Sequence, residues 1–371
     1  MTAATQIGAF KIHFYIDQTK LNLDLTKCPR FEVDSSPRKY DVCIYESDPF
    51  ILIEETYADG DVVLIDQKLI DLYNVDIERY LIFLVDAKEE NKTIETCLGL
   101  ISLLRRVNFN KANTLHVIGG GIIQDIGSFV GAAYKRGVDW ILYPTTLLSM
   151  CDSCIGGKTG INYDGIKNQL ALFSSPKEVY ICTEFITTLE DREIKSGLGE
   201  VLKLYSIGGN NLLNDYEALV SQGMPNSREA FKELISKSLS VKKAVIEYDE
   251  FEFNIRKSLN YGHTIGHALE ALSNYNIPHG QAVVLGMILV NKVYDKNLKQ
   301  LERLCLDLVD LEKLRKISLN GIKQFLLSDK KTVGTMATFV VLDKLGITNF
   351  YMKSIDDDLI NRIVLEIEKI V

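Results

Sequence analysis

A chain of 371 residues, 46% hydrophobic and 25% charged, has the length and composition for two domains with cores of their own. A formal net charge of −8 with scattered Lys and Arg excludes the basic footprint of a nucleic-acid binder. No apolar stretch approaches the ~18 residues of a membrane span, and Met1 to Ile16 carries no leader-like pattern, so a cytoplasmic protein without membrane partners is expected.

The first forty residues predict an extra strand or hairpin. From about Tyr40 to Tyr180, short β-rich apolar runs alternate with helix-like segments: Val62–Ile65, Leu81–Val85, Thr114–Ile118, Trp140–Tyr143 and Val179–Cys182. That alternation predicts a mostly parallel α/β sheet. After Thr188 the character changes. Pro occurs only at Pro225 and Pro278, and apolar residues fall on helical stripes, Leu198, Leu202 and Tyr205 on one and Ile265, Leu269 and Leu272 on another. This half reads as mainly helical. Seven cysteines, odd in number and widely spaced, do not form a disulfide framework. Cys151 and Cys154 make a lone CxxC without a second pair or a nearby His, so no zinc or redox role is assigned to them.

Three stretches carry chemistry. Thr114–Ile118 runs straight into Gly119-Gly120-Gly121 and a helix-compatible segment through Asp125, a turn whose bare backbone and helix start can receive a pyrophosphate. The pattern is not GxGxxG, and a tight structural turn explains such a run equally well. Between Tyr143 and Phe173 come Thr145 and Thr146, Asp152, Gly156-Gly157-Lys158 and Lys167-Asn168. They supply the cationic and neutral donors that a phosphate and sugar hydroxyls require; the plainer reading is a solvated loop. Finally, three of the five histidines, His263, His267 and His279, lie within seventeen residues. His263 and His267 stand at i and i+4 on one helix face, and Pro278 turns the chain back before His279. Thr264 occupies the place of the Glu of a zinc-protease HExxH, so that chemistry is excluded. A catalytic zinc takes three protein ligands and leaves open positions, and a carboxylate is the natural third partner.

The blocks Gly119–Asp125, Arg136-Gly137-Val138-Asp139, Pro144–Leu148, Asp152–Asn162, Lys167-Asn168, Ser196–Lys203, Asn260–Glu270 and Asp329-Lys330-Lys331 together resemble the 3-dehydroquinate synthases and their sugar-phosphate cyclase relatives. The resemblance implies a Rossmann-like NAD-binding α/β domain over residues 1–183 and a helical, all-α metal- and substrate-binding domain over 184–371. It implies one divalent metal, zinc or cobalt, on Glu200, His263 and His279. NAD would meet Asp66, Glu89, Lys92, Gly120, Gly121, Ile122, Asp125, Thr145, Thr146, Leu148, Lys158, Lys167, Phe185, Thr188 and Leu189. Asp152, Lys158, Lys203, Arg256, Asn260 and His267 would carry catalysis. Arg136, Asn168, Lys242 and Lys331 would bind substrate, with Arg136 reaching into the neighbouring subunit of a homodimer. Lys68, Lys88, Ala171 and Ser174-Ser175-Pro176 depart from the family pattern.

The implied reaction converts 3-deoxy-arabino-heptulosonate 7-phosphate to 3-dehydroquinate and phosphate through oxidation by NAD, phosphate elimination, re-reduction and aldol closure. Alternatives are a cyclase acting on sedoheptulose 7-phosphate or glucose 6-phosphate, a metal-dependent polyol dehydrogenase, and a catalytically inactive binding relative. Arg256 discriminates among the cyclases, because a carboxylate-bearing substrate needs a cation and a neutral sugar phosphate does not.

Overall fold

The computed structural model describes residues 12–25, 29–46, 48–221, 223–328 and 332–371. The chain opens with β1 (His13–Ile16), β2 (Thr19–Asn22), β3 (Arg30–Val33), β4 (Tyr40–Tyr45), α1 (Pro49–Thr56), β5 (Val62–Asp66), α2 (Gln67–Tyr73) and β6 (Ile82–Val85). It continues through α3 (Ile94–Arg106), β7 (Thr114–Gly119), α4 (Gly121–Ala133), β8 (Asp139–Pro144), β9 (Lys158–Tyr163), β10 (Ile166–Phe173) and β11 (Glu178–Cys182).

Seven of these strands form one sheet in the order β3-β4-β11-β8-β7-β5-β6. All its neighbours are parallel except the β3–β4 pair. The cause lies in the sequence. Val62–Ile65, Leu115–Ile118 and Trp140–Tyr143 are buried along their whole length, as strands covered by helices on both faces must be. All five expected strands are present. α3 shows how locally the helices are specified: Thr93 caps its start by accepting from the Thr96 N–H, and Arg105 and Arg106 sit in its last turn, where the helix dipole favours cations.

Strand order reverses between β5 and β7. After β5 the chain places β6 on one side, then crosses to put β7, β8 and β11 on the other. In open α/β sheets the ligand crevice lies outside the strand carboxyl ends at such a reversal.

The second half carries α5 (Asp191–Gly208), α6 (Asn210–Leu219), the two-residue strands β12 (Val220–Ser221) and β13 (Met224–Pro225), α7 (Arg228–Ile246), α8 (His263–Leu272) and α9 (His279–Val293). Then follow α10 (Lys299–Leu306), α11 (Leu311–Arg315), α12 (Ile322–Ser328), β14 (Thr332–Val333), β15 (Met336–Lys344), β16 (Ile347–Ser354) and α13 (Asp357–Ile370). The expected helical stripes fall on α5 and α8. This half is not helical throughout, however. β14, β15 and β16 build a five-stranded sheet that β1 and β2 complete, with Tyr15 opposite Ile347 in parallel. The expected N-terminal hairpin exists, but it pairs with the end of the chain rather than with the nucleotide-side sheet. The β-rich apolar run Phe339–Leu342 and the Gly346 turn carry this hairpin signal, and the helical pattern before them masks it.

Among the described residues no helix is long and apolar enough to cross a membrane. Cys151 and Cys154 are buried thiols, and Cys28 lies outside the described residues.

Candidate active site

The carboxyl ends of three adjacent strands meet at the reversal. β5 ends at Asp66, whose carboxylate caps α2 by accepting from the Lys68 N–H at 3.1 Å. Burial lifts the Asp66 carboxyl above its ordinary value against the amide hydrogen bonds that oppose it. β7 ends at Gly119, and Gly120, Gly121 and Ile122 open α4, where first-turn N–H groups lack intrahelical partners. β8 leads into Thr145, whose N–H reaches the Gly119 carbonyl at 3.1 Å, and Thr146, whose hydroxyl pairs with Ser149 at 2.9 Å. Leu148 then precedes a single π-helical turn, Ser149–Ser153, a form of backbone that recurs at functional sites.

Beside these ends lies a partly buried polar network centred on Lys92. Lys92 Nζ reaches Asp125 Oδ2 at 3.0 Å and Asn168 Oδ1 at 2.8 Å, and Asn162 Nδ2 donates to Glu89 Oε1 at 2.8 Å. Asn168, expected among the substrate contacts, therefore joins the group expected for the cofactor. Phe185 is buried in an aromatic cluster with Phe50 and Tyr73, and the Thr188 hydroxyl lies 3.2 Å from that of Tyr73. Leu189 follows, packed against the core.

The histidines converge through helix packing. α5 and α9 touch backbone to backbone where Gly199 and Gly280 meet. A Cβ on Gly199 would lie 2.3 Å from the Gly280 carbonyl oxygen, and one on Gly280 would lie 1.8 Å from that of Ser196. Only glycine permits this approach. It sets Glu200 of α5 against His279 at the start of α9, with Glu200 Oε1 3.3 Å from His279 Nε2 and 3.6 Å from His263 Nε2. His267 completes a trio of imidazoles whose ligand atoms all lie within 4.8 Å of one another.

This geometry fits a cation. His263 Nδ1 faces the Tyr261 carbonyl at 3.1 Å, and His279 Nδ1 faces Glu270 Oε2 at 3.0 Å. Each contact makes Nδ1 the donor and turns the Nε2 lone pair of the neutral ring inward. Glu200 Oε1, fully buried, has no hydrogen-bond partner. Two lone pairs and a carboxylate oxygen thus face one another, an arrangement that repels unless a positive charge sits among them. Burial opposes the charge on His279, but Glu200 and Glu270 outweigh it and push its pKa up to about 10.

A belt of charge adjoins the cluster, buried at Lys203, Lys242 and Arg256. Lys203, 2% exposed and one turn after Glu200, pairs with Glu200 and lies 3.2 Å from Asp152 Oδ2. Burial alone would raise Glu200, yet Lys203, His279 and Asp152 hold it well below the ordinary carboxylate range. Lys242 of α7 pairs with the other Asp152 oxygen and donates to the Asp152 carbonyl at 2.7 Å. Lys158 pairs with Glu252, to which Asn260 Nδ2 also donates at 2.8 Å. Arg256 is 2% exposed and bonds to main-chain carbonyls, so it is not a surface residue paired with the Glu250 or Glu252 carboxylate.

Three expected residues stand apart. Lys167 lies 3.7 Å from Glu270 and over the Tyr275 ring, on the histidine side rather than with the network of Lys92. Arg136 is exposed on the turn after α4 in left-handed backbone (φ 63°), with no ion pair among the described residues. Lys331 lies outside the described residues. Glu252 and Glu270 were missed as site residues. Glu270 had a readable signal, since His263, His267 and Glu270 at i, i+4 and i+7 share one helical face; Glu252, in a loop with φ 62°, had none.

A strand-end crevice of the kind that receives a dinucleotide, joined to a carboxylate–histidine cluster lined with lysines, forms the candidate site. Comparison with known proteins makes the class specific. A family described as 3-dehydroquinate synthase N-terminal matches residues 82–196, and one described as 3-dehydroquinate synthase C-terminal matches residues 197–332. The 3-dehydroquinate synthase of Acetivibrio thermocellus is 34% identical over 76% of this chain and 80% of its own length. That of Streptococcus equi subsp. equi is 35% identical over 67% of this chain and 72% of its own. The chain belongs to the 3-dehydroquinate synthase family.

Among solved structures, a 2-deoxy-scyllo-inosose synthase complexed with carbaglucose-6-phosphate, NAD+ and Co2+ superposes with a TM-score of 0.79 at 22% identity, over 91% of this chain and 99% of that one. The 2-epi-5-epi-valiolone synthase of Streptomyces hygroscopicus subsp. jinggangensis, with NAD+ and Zn2+ bound, gives 0.73 at 20% identity, over 89% and 97%. At these identities the likeness is one of fold.

Proposed function

We propose that Glu200, His263 and His279 hold one divalent metal, zinc or cobalt, beside an NAD lying across the carboxyl ends of β5, β7 and β8. The protein is an enzyme, a carbon–oxygen lyase acting on phosphates. It converts 3-deoxy-arabino-heptulosonate 7-phosphate to 3-dehydroquinate and phosphate, a step of the shikimate pathway. A bound NAD would take hydride from the carbon that bears one substrate hydroxyl and later return it, and the metal would supply Lewis-acid polarisation at that oxygen. The observation that carries the metal assignment is the meeting of the orphaned Glu200 Oε1 with two inward-facing Nε2 atoms.

The chain's own groups do the rest. Lys203, an ammonium that Glu200 and Asp152 keep charged, donates toward the hydroxyl oxygen being oxidised and stabilises the negative charge that develops on it. Lys242, paired with Asp152, supplies a second buried cation for substrate oxygens. Lys158, Asn260 and His267 hold the phosphate as it leaves; Lys158 and Asn260 now share Glu252, a carboxylate at the place an anion would take. Arg256 receives the substrate carboxylate, and its Nε, buried without a partner, is a donor that such an anion satisfies. Asp66, Gly120–Ile122, Thr145, Thr146 and Leu148 line the nucleotide crevice, and Glu89, Lys92, Asp125 and Asn168 support it. Phe185, Thr188 and Leu189 flank it, and Lys167 bridges toward α8.

Arg136, exposed and unpaired among the described residues, is assigned to the neighbouring subunit's site, which makes the enzyme a homodimer. Its compartment is the cytoplasm. The two lobes divide near residue 183, with β1 and β2 added to the second. The test is direct: incubate the purified protein with substoichiometric NAD, zinc or cobalt, and each candidate sugar phosphate. Many turnovers of phosphate release from 3-deoxy-arabino-heptulosonate 7-phosphate, abolished by chelation, are expected. One NADH accumulating per product would instead indicate a dehydrogenase.

A further inference from the structure

Arg256 is held in an unusual way. Its Nη2 donates to the Gly156 carbonyl at 2.7 Å, its Nη1 to the Glu250 carbonyl, and its face stacks over Phe173. The guanidinium therefore has its direction set by two main-chain oxygens, while Nε has no partner. The two residues that bear those oxygens, Gly156 and Glu250, are held from one place, the arm that links β3 to β4 together with Tyr40 at the start of β4. The Tyr40 hydroxyl, on a side chain 3% exposed, accepts from the Gly156 N–H at 3.1 Å. The Ser35 hydroxyl donates to one Glu250 carboxylate oxygen, and the Ser36 N–H to the other at 2.8 Å. Ser35 also meets the Ser175 hydroxyl at 2.7 Å. Gly156 is committed to the same purpose: its φ is +96°, and a Cβ there would lie 2.6 Å from Arg256 Nη2. Asp249 completes the frame from inside the loop by accepting the N–H groups of Phe253, Asn254 and Arg256.

We propose that this arm, through Ser35, Ser36 and Tyr40, is a positioning device for Arg256, and that it sets the enzyme's preference for a carboxylate-bearing substrate. The inference rests on the assignment of Arg256 to that carboxylate. Its physical basis is preorganisation. A guanidinium whose two Nη groups are committed to fixed carbonyls presents its remaining donors in one direction, so little freedom is lost when the anion binds. If the arm loosens, Arg256 keeps its charge but loses its aim, and the cost falls on binding. None of Ser35, Ser36 and Tyr40 is a catalytic residue.

The test is a double-mutant cycle on the full enzyme loaded with metal and NAD. Ser35→Ala combined with Tyr40→Phe should raise KM for 3-deoxy-arabino-heptulosonate 7-phosphate about ten-fold while kcat stays within about two-fold. NAD affinity and metal content should not move. In an Arg256→Ala background the same two changes should have no further effect on KM, and Ser35→Thr, which keeps the hydroxyl, should restore the wild-type value. Equal losses in both backgrounds would overturn the proposal, because a structural lesion acts whether or not Arg256 is present. If Arg256→Ala itself leaves KM unchanged, the carboxylate assignment fails and the inference fails with it. An additive result alongside a raised KM for Arg256→Ala sinks the positioning role alone. Should the combined variant unfold, Ser35→Ala and Tyr40→Phe taken singly carry the same comparison.

Discussion

The two halves of the site are assembled on different principles. The sheet half presents main chain: the ends of β5, β7 and β8 deliver amides, a helix start and short side chains to a crevice that the strand order creates. The helical half presents buried charge. Glu200, Lys203, Lys242, His279 and Glu270 are packed into pairs that hold one another's ionisation, with Asp152 reaching in from the π-helical turn of the sheet half to join Lys203 and Lys242. A main-chain site tolerates change in neighbouring side chains because the backbone carries the chemistry. A charge cluster does not, because each member is buried at the expense of its solvation and depends on its partners.

The sharpest way to break that contrast is at Glu200. Glu200→Ala leaves Lys203 buried with only Asp152, and removing one partner of a buried pair costs roughly 3–5 kcal/mol of folding stability. Losing an outer partner of a metal ligand already costs about 10–100-fold, so loss of the ligand itself should lower metal affinity and turnover by more than about 100-fold. Urea midpoints and metal content by atomic emission check both. Activity near wild type in a metal-free variant would remove the metal assignment. Next in size is Gly280→Ala. Its Cβ cannot coexist with the Ser196 carbonyl at 1.8 Å, so α9 must withdraw from α5. Overpacking of this kind costs about 1–3 kcal/mol, and the withdrawal should weaken metal binding even though no ligand is altered. Gly121→Ala on the sheet side, which meets nothing within 4 Å, is the control and should leave metal binding unchanged.

The same contrast explains what the sequence disclosed. The sheet half was legible because its strands are uniform apolar runs and its binding turn is a glycine run, both local patterns. In the helical half, the His263–His267 spacing and the turn at Pro278 were equally local and pointed to the convergence of the three histidines. The Asn168–Lys92 contact, the Lys203–Asp152–Lys242 chain and the role of Glu252 were not, because each joins residues from separate elements. The β15–β16 hairpin had a local signal, yet its pairing with β1 spans the length of the chain, and pairing at that distance leaves no periodicity to read.

A smaller effect is expected from pH on Lys158. Its side chain is 47% exposed, and desolvation of the ammonium lowers its pKa to about 8, with Glu252 opposing that shift. If its charge grips the phosphate, kcat/KM in the free enzyme should fall as pH rises through about 8, since deprotonation removes the cation. Lys158→Arg, which cannot deprotonate in this range, should shift the limb to higher pH. A profile identical in both enzymes would mean that the limb belongs to another group.

The smallest effect should come from the sheet half's own buried charge, and it should stay there. Asp61 accepts the Thr114 N–H at 2.7 Å and the Ala58 N–H at 2.9 Å, and faces His116 Nε2 at 3.2 Å; His116 Nδ1 in turn meets the Tyr143 hydroxyl at 3.1 Å. Burial would raise the Asp61 carboxyl, but His116 and the two amides outweigh it and hold it below its ordinary value. A carboxylate lowered in the folded state adds stability that is complete above its unfolded pKa, about 3.9, and disappears as pH falls through the lower folded value. Asp61→Asn keeps an acceptor and loses the charge, so it should cost about 1–2 kcal/mol at neutral pH and flatten the decline in stability below about pH 4. Metal affinity should not change, because the lesion lies in the lobe whose chemistry is carried by main chain. Urea midpoints between neutral and acid pH, measured beside metal titrations, decide it. If Asp61→Asn weakens metal binding as strongly as it weakens the fold, the two halves are not independent and the contrast between them is wrong.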